Sequence, residues 1–400
     1  MRLSVSPRHR DIAINIALAM VSALVTCALI EVFFLRLFAP MLPIKMWGYM
    51  DKRFLPLAQS SKKGTIPRDY IMLVGDSYAQ GKGDWLQSAD RDRNPEFHSA
   101  HIIHRRTGRD VITTGLGGLG SLNGLVTRPL SVFDFFDGTL LFKVAHPRII
   151  LVYFYEGNDL DNNIDYIRRN YAPEFDQGKI YDPEYFRQFL RRAVRKKIPA
   201  RLKFRENLLV AGMVAEMISG RKQDPQDEPA ATLDGGINAA VIGGRTVALP
   251  DGLQGPSLEL TDDESRLALY AFEQSLRYMR DYFSDSAVGI VYIPSVLSSY
   301  KIVSPKVSVQ TYHGRTPTYP ASLVWPRSDT ICARIAEIAA RNHMPFIDAR
   351  PFIRAAAKSR VIHGPTDWGH FKREGYSALA EAALELLDRM GAGTGTKKRP

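Results

Sequence analysis

A chain of 400 residues with 45% apolar content can bury one large core and still carry an inserted subdomain. It has two cysteines, Cys27 in an apolar N-terminal run and Cys332 in an amphipathic stretch, which excludes a disulfide framework. A formal net charge of +11 suits nucleic acid or an anionic membrane as partner, and the topology of the chain has to decide between them.

The N-terminus decides it. Ile12–Ile30 contains no charged residue, and a helix of about 20 such residues crosses a bilayer core. Arg2, Arg8 and Arg10 precede it, and positive charge stays on the cytoplasmic side. Glu31 and Arg36 interrupt the apolar extension that follows, and Trp47 and Tyr49 stand at interface distance. The expectation is an uncleaved single span with the remainder outside the cytoplasm, in the periplasm of an inner-membrane protein. A cleaved signal peptide is the rival, but the small-x-small cleavage pattern is missing, and Thr26 before Cys27 spoils a lipoprotein site. Outside the cytoplasm, nucleic acid and nicotinamide cofactors drop out as partners. The expected domains are 1–38 (cytoplasmic end and span), 39–69 (a tether rich in proline, with a Ser60–Gly64 turn cluster), 70–390 (an α/β domain) and a basic tail, 391–400.

The α/β domain opens at Ile71–Val74, a short apolar run stopped by Gly75-Asp76-Ser77. Ser99–Thr107 reads as a helix, and Val111–Thr114 as a β-branched strand closed by the glycine turn Gly115–Gly120. A helical stretch covers Leu122–Phe136. Arg148–Tyr155 is apolar on both faces, as a central parallel strand should be, and ends at Glu156-Gly157-Asn158-Asp159. From about 160 to 261 the rhythm breaks: a basic run (187–205), the apolar but short Leu208–Ile218, a polar loop (221–229) and a hairpin around Gly243-Gly244 read as an insertion or cap. The rhythm then resumes with helix Asp262–Phe283, capped by Thr261 or Asp262, strand Gly289–Pro294, helix Ser328–Asn342, strand Pro345–Asp348 and helix Arg373–Met390. Five strands alternating with helices predict an α/β fold around a parallel sheet. Right-handed crossovers bring the strand carboxyl ends, with Ser77, the glycine turn and Asn158, to one crevice.

A serine hydroxyl becomes a nucleophile only beside a base that a third group orients. Asp367-Trp368-Gly369-His370 offers both partners, three residues apart, so that they can converge on one point. The oxyanion of a tetrahedral intermediate needs donors, for which the candidates are the Ser77 N–H, an N–H in the 115–120 turn and the Asn158 amide. Two motifs mislead. Gly115–Gly120 spells the dinucleotide fingerprint G-x-G-x-x-G, but no carboxylate closes a second strand some 20 residues on. Ser77 is not in a G-x-S-x-G elbow, since Ala79 occupies the second glycine position. His98, His101 and His104 recur every third residue; a zinc site is conceivable, but a core-facing or solvated helix face is the expectation.

Gly75-Asp76-Ser77-Tyr78, the glycine turn, Gly157-Asn158-Asp159 and Asp367-Trp368-Gly369-His370, in this order and spacing, resemble the four blocks of the SGNH (GDSL-type) hydrolases. The resemblance runs over about 68–390 apart from the insertion. It implies a flavodoxin-like three-layer fold, Ser77 as nucleophile, His370 as base, Asp367 as orienting acid, and Ser77, Gly118 and Asn158 as oxyanion donors, with no metal and no organic cofactor. Thr113 stands where the family often has asparagine, which leaves the choice among Gly117, Gly118 and Gly120 open, and Phe371-Lys372 replaces the usual proline or threonine. The implied substrate is an ester, on an acylated polysaccharide or a lipid. Transfer of the acyl group to a cell-envelope polysaccharide, or a silent envelope-assembly module, are the alternatives.

Overall fold

The computed structural model describes residues 7–42, 44–47, 49, 52–83, 98–139, 142–197, 209–219, 236–311 and 314–391. Five parallel strands form the central sheet: β1 (Ile71–Gly75), β2 (Val111–Thr113), β3 (Ile149–Tyr155), β4 (Ala287–Ile293) and β5 (Phe346–Asp348). Their order across the sheet is 2-1-3-4-5, with β3 paired along its length to β4 from Ile149↔Ala287 to Tyr155↔Ile293. This is the order of an open doubly wound sheet, which reverses direction between β1 and β3. The expected α/β class and five-stranded parallel sheet are what the chain forms.

The middle of the sheet is buried on both faces because β1 and β3 carry no polar side chain at alternate positions: IMLVG and IILVYFY are apolar throughout. Met72, Val74, Ile150, Val152 and Phe154 point to one side, into a core shared with helices Arg128–Gly138, Asp159–Tyr166, Pro183–Lys197, Asp262–Tyr282 and Val324–Arg341. Ile71, Leu73, Ile149, Leu151 and Tyr153 point to the other, into a core shared with Ser99–Thr107, Arg350–Ser359 and Arg373–Arg389. The carboxyl ends of β3 and β4 are tied by Glu156. Its fully buried carboxylate accepts from the N–H and hydroxyl of Ser295 at 2.8 Å each, from Ser328 at 2.7 Å, and from Ser298 and Tyr292.

Two expectations need correction. The stretch 39–69 is not a free tether: Ala39, Trp47, Phe54 and Leu57 are buried in the first core, and Val111 at the start of β2 donates its N–H to the Ser61 carbonyl at 2.8 Å. Its apolar residues are too irregularly spaced to show a period, yet these four pack into the core. Nor does 160–261 form a separate cap throughout. Pro183–Lys197 covers the sheet through Phe186, Phe189 and Leu190, whereas the hairpin Ala239–Ile242/Arg245–Ala248 pairs with Lys301–Ile302. The later part of the basic run (198–205), the 221–229 loop and the tail from 392 lie outside the described residues.

Among the described residues one helix is long and apolar enough to cross a membrane, Pro7–Phe33, with its apolar stretch at Ile14–Phe33. Nearly all of its described side chains are exposed, Leu24 by 70%.

Candidate active site

Gly75 ends β1 at φ +142°, and a Cβ there would lie 2.5 Å from the Tyr153 carbonyl oxygen of the neighbouring strand. Only glycine lets the chain leave the sheet this tightly. Asp76 then caps the short helix Ser77–Gln80, its Oδ1 accepting the Tyr78 N–H at 2.8 Å. Ser77, the first residue of that turn, is 4% exposed, and its hydroxyl donates to Asp76 Oδ2 at 3.4 Å.

The glycine turn after β2 packs directly on this helix. A side chain at Gly115 would collide with the Ala79 Cβ, the Asp76 carbonyl and the Gln80 nitrogen. Gly117 donates its N–H to Gln80 Oε1 at 2.7 Å and lies under the Lys82 side chain, and Gly120 packs on Asn162. Gly118, at φ +75°, has no heavy atom within 4 Å of where its side chain would point. It is the residue of the three that faces open space.

Asn158 follows β3 and precedes helix Asp159–Tyr166. Its side chain lies near enough to the Asp76 carboxyl to favour the charged form, while its Oδ1 is buried without a partner. The Asp159 carboxyl accepts the Tyr155 N–H at 3.0 Å through Oδ2. Burial pushes both acids up, Asp76 against the bond from Tyr78, and Asp159 further because Asp76 is near.

The last segment folds back onto the same corner. Tyr78, the residue after Ser77, donates its hydroxyl to the Gly369 carbonyl at 2.9 Å, and its ring lies 5.5 Å from that of His370. Asp367 and His370 meet as their spacing requires, with His370 Nδ1 2.7 and 2.9 Å from the two carboxylate oxygens. Burial works to raise the Asp367 carboxyl, but the bond to His370, the Gly369 N–H and the charge of Lys82 outweigh it and hold the group below its usual range. The structure thus brings Ser77, Asp76, Asn158 and the Asp367–His370 pair around one corner of the sheet's carboxyl edge.

Sequence reasoning passed over several residues here. Asp76 receives both the Ser77 hydroxyl and the Tyr78 N–H. Gln254, in a proline- and glycine-rich loop, accepts the Tyr155 hydroxyl at 2.7 Å and stands 3.9 Å from the side-chain position of Gly369; a lone glutamine offers no signal. Four other histidines have separate partners. His98 caps Ser99–Thr107 through the Ala100 N–H, His101 meets the Ser60 hydroxyl at 3.2 Å, and His104 meets the Arg109 carbonyl at 2.6 Å. His363 is buried behind Phe371 with Nδ1 2.8 Å from the Tyr300 hydroxyl.

No family model matches the chain, and no curated protein matches it. Among solved structures it is similar to an extracellular lipase from Streptomyces rimosus, at 13% identity and a TM-score of 0.39 over 80% of this chain and 98% of the lipase. An acetyl xylan esterase from the rumen bacterium Butyrivibrio proteoclasticus is similar at 10% identity and a TM-score of 0.33, over 81% of this chain and 64% of that one. Likenesses this distant say nothing of the reaction.

Proposed function

We propose that the chain is a membrane-anchored, extracytoplasmic serine esterase. The observation that carries this reading is the Asp367–His370 pair at 2.7 Å, held through Gly369 and the His370 ring against the helix that begins with Ser77. The Ser77 hydroxyl, turned from Asp76 toward His370, attacks the ester carbonyl while the imidazole takes its proton. Asp367 keeps Nδ1 protonated and stabilises the imidazolium. The oxyanion is met by the N–H of Ser77, the N–H of Gly118 and the side-chain amide of Asn158. Collapse breaks the ester C–O bond, and the alcohol leaves with the proton from His370. Water, deprotonated by His370, then attacks the acyl-enzyme, releasing the acid and restoring Ser77. This sequence uses no metal and no organic cofactor. Arg2, Arg8 and Arg10 hold the amino end of the span in the cytoplasm, so the site faces the periplasmic side of an inner membrane.

The test uses the full chain in detergent. The wild type hydrolyses 4-nitrophenyl acetate and is labelled by a fluorophosphonate; Ser77→Ala does neither. Equal rates in the two proteins end the esterase reading. An oligosaccharide added as acceptor separates hydrolysis, which yields free acid alone, from acyl transfer to a sugar hydroxyl.

A further inference from the structure

Helix Leu209–Ser219 (LVAGMVAEMIS) is too short to span a bilayer and is not needed to build the site. Its first turn meets the far end of the N-terminal helix. The Glu31 carboxylate, itself buried, accepts the Val210 N–H at 3.0 and 3.1 Å and the Ala211 N–H at 3.1 Å. Those amides would otherwise be orphans of a helix start, and the negative charge faces the positive end of the helix dipole. A glutamate near the end of an apolar span is costly unless it has such a partner.

The two sides of this helix differ. Leu209 and Met213, one turn apart, are buried in the same core as Phe34 and Ala39, the residues that lead out of the N-terminal helix. Val214 and Met217 are 45% exposed and Ile218 80%, and beside the span's exit Leu37, Phe38 and Met41 are exposed by 58%, 51% and 80%. Six bare apolar side chains thus lie on two segments, far apart in the chain, that the Glu31 contacts bring together. A water-facing surface rarely collects them. Glu31 lies within the last turn of the apolar stretch Ile14–Phe33, so Leu209–Ser219 begins at the depth where that stretch would leave hydrocarbon.

We infer that Leu209–Ser219 is an interfacial membrane helix. Its Val214, Met217 and Ile218 side lies in the lipid of the leaflet from which the span emerges, and Glu31 fixes it there, giving the α/β domain a second hold on the bilayer. The occupant is lipid because the helix starts against the end of the apolar stretch, and its exposed positions Ala211, Val214, Ala215, Met217 and Ile218 carry no charge. The inference rests on Pro7–Phe33 being a span, and the test separates the two.

The full chain, with Cys27→Ser, carries one added cysteine in turn: Leu24→Cys in the span, Ile218→Cys in the helix, or Thr330→Cys at an exposed position of helix Val324–Arg341. Each is labelled with an environment-sensitive fluorophore and reconstituted into phosphatidylethanolamine–phosphatidylglycerol vesicles with and without brominated acyl chains. The expected result is loss of fluorescence to brominated lipid at positions 24 and 218 and none at 330. Loss at 24 without loss at 218 overturns the inference and leaves the span standing, since the helix then faces water or a second protein. No loss at 24 overturns the span and the inference together.

Discussion

The Asp367 carboxylate touches the His370 Nδ1 with both oxygens, at 2.7 and 2.9 Å, and takes the Gly369 N–H at 3.1 Å. These contacts outweigh its burial and hold it below its usual range, and in the proposed reaction it fixes the imidazole in one tautomer. Asp367→Asn keeps the shape but donates or accepts in the wrong sense. Its kcat on 4-nitrophenyl acetate should fall by on the order of 10³–10⁴-fold. A loss of less than about tenfold would mean that the tautomer is set elsewhere. At this scale the motif residues were legible, since Asp-x-x-His is a local spacing. That the Ser77 hydroxyl rests on Asp76 at 3.4 Å was not, because a side-chain torsion answers to neighbours brought in from other strands.

Elements were legible where local chemistry set them. Thr261-Asp262-Asp263-Glu264 spells a capping box, and the structure has both halves: Thr261 Oγ1 accepts the Glu264 N–H at 3.3 Å, and the Thr261 N–H donates to Glu264 Oε2 at 2.9 Å. Helix Arg350–Ser359 was missed. It follows β5 almost without a loop, and its buried Arg350 reads as a surface residue until Asp348 and Asp329 are seen against it at 2.9 and 2.6 Å. The turn after β1 is the element on which the site depends. Gly75→Ala puts a Cβ into the Tyr153 carbonyl and leaves a non-glycine residue at φ +142°. It should cost about 2–4 kcal/mol in urea unfolding, with the loss of activity tracking the loss of fold. A variant as stable as wild type would show that the strand end can relax.

The whole molecule responds to pH through groups it buries. Burial lowers His98 and His363 to about 3, so the folded chain keeps both neutral while the unfolded chain protonates them below about 6.5. The unfolded state then binds more protons, and these groups make stability fall as pH drops from about 6.5 toward 3. Burial raises Asp161 to about 7, against the bond from Ser257, so the folded state binds the extra proton there, and that contribution fades as pH rises through the same window. The opposed terms are separated by difference. His363→Gln keeps a partner for the Tyr300 hydroxyl and removes one titration. Wild type minus variant stability should rise with pH by about 1.4 kcal/mol per unit between about pH 4 and 6, read from urea melts. A difference that is flat with pH would mean that His363 titrates alike in both states.

The sequence by itself determined the order of strand, glycine turn and helix, the apolar span-length helix, and the Asp-x-x-His pairing, because hydrophobic period, cap residues and turn residues act within a few positions. Tertiary structure alone decided that Gly118 is the open glycine, that 39–69 packs into the core, that Gln254 reaches the site, and that Glu31 caps a helix 179 positions away. Those are contacts between distant parts of the chain. They exist only once the sheet has set the distances, and no local pattern records them.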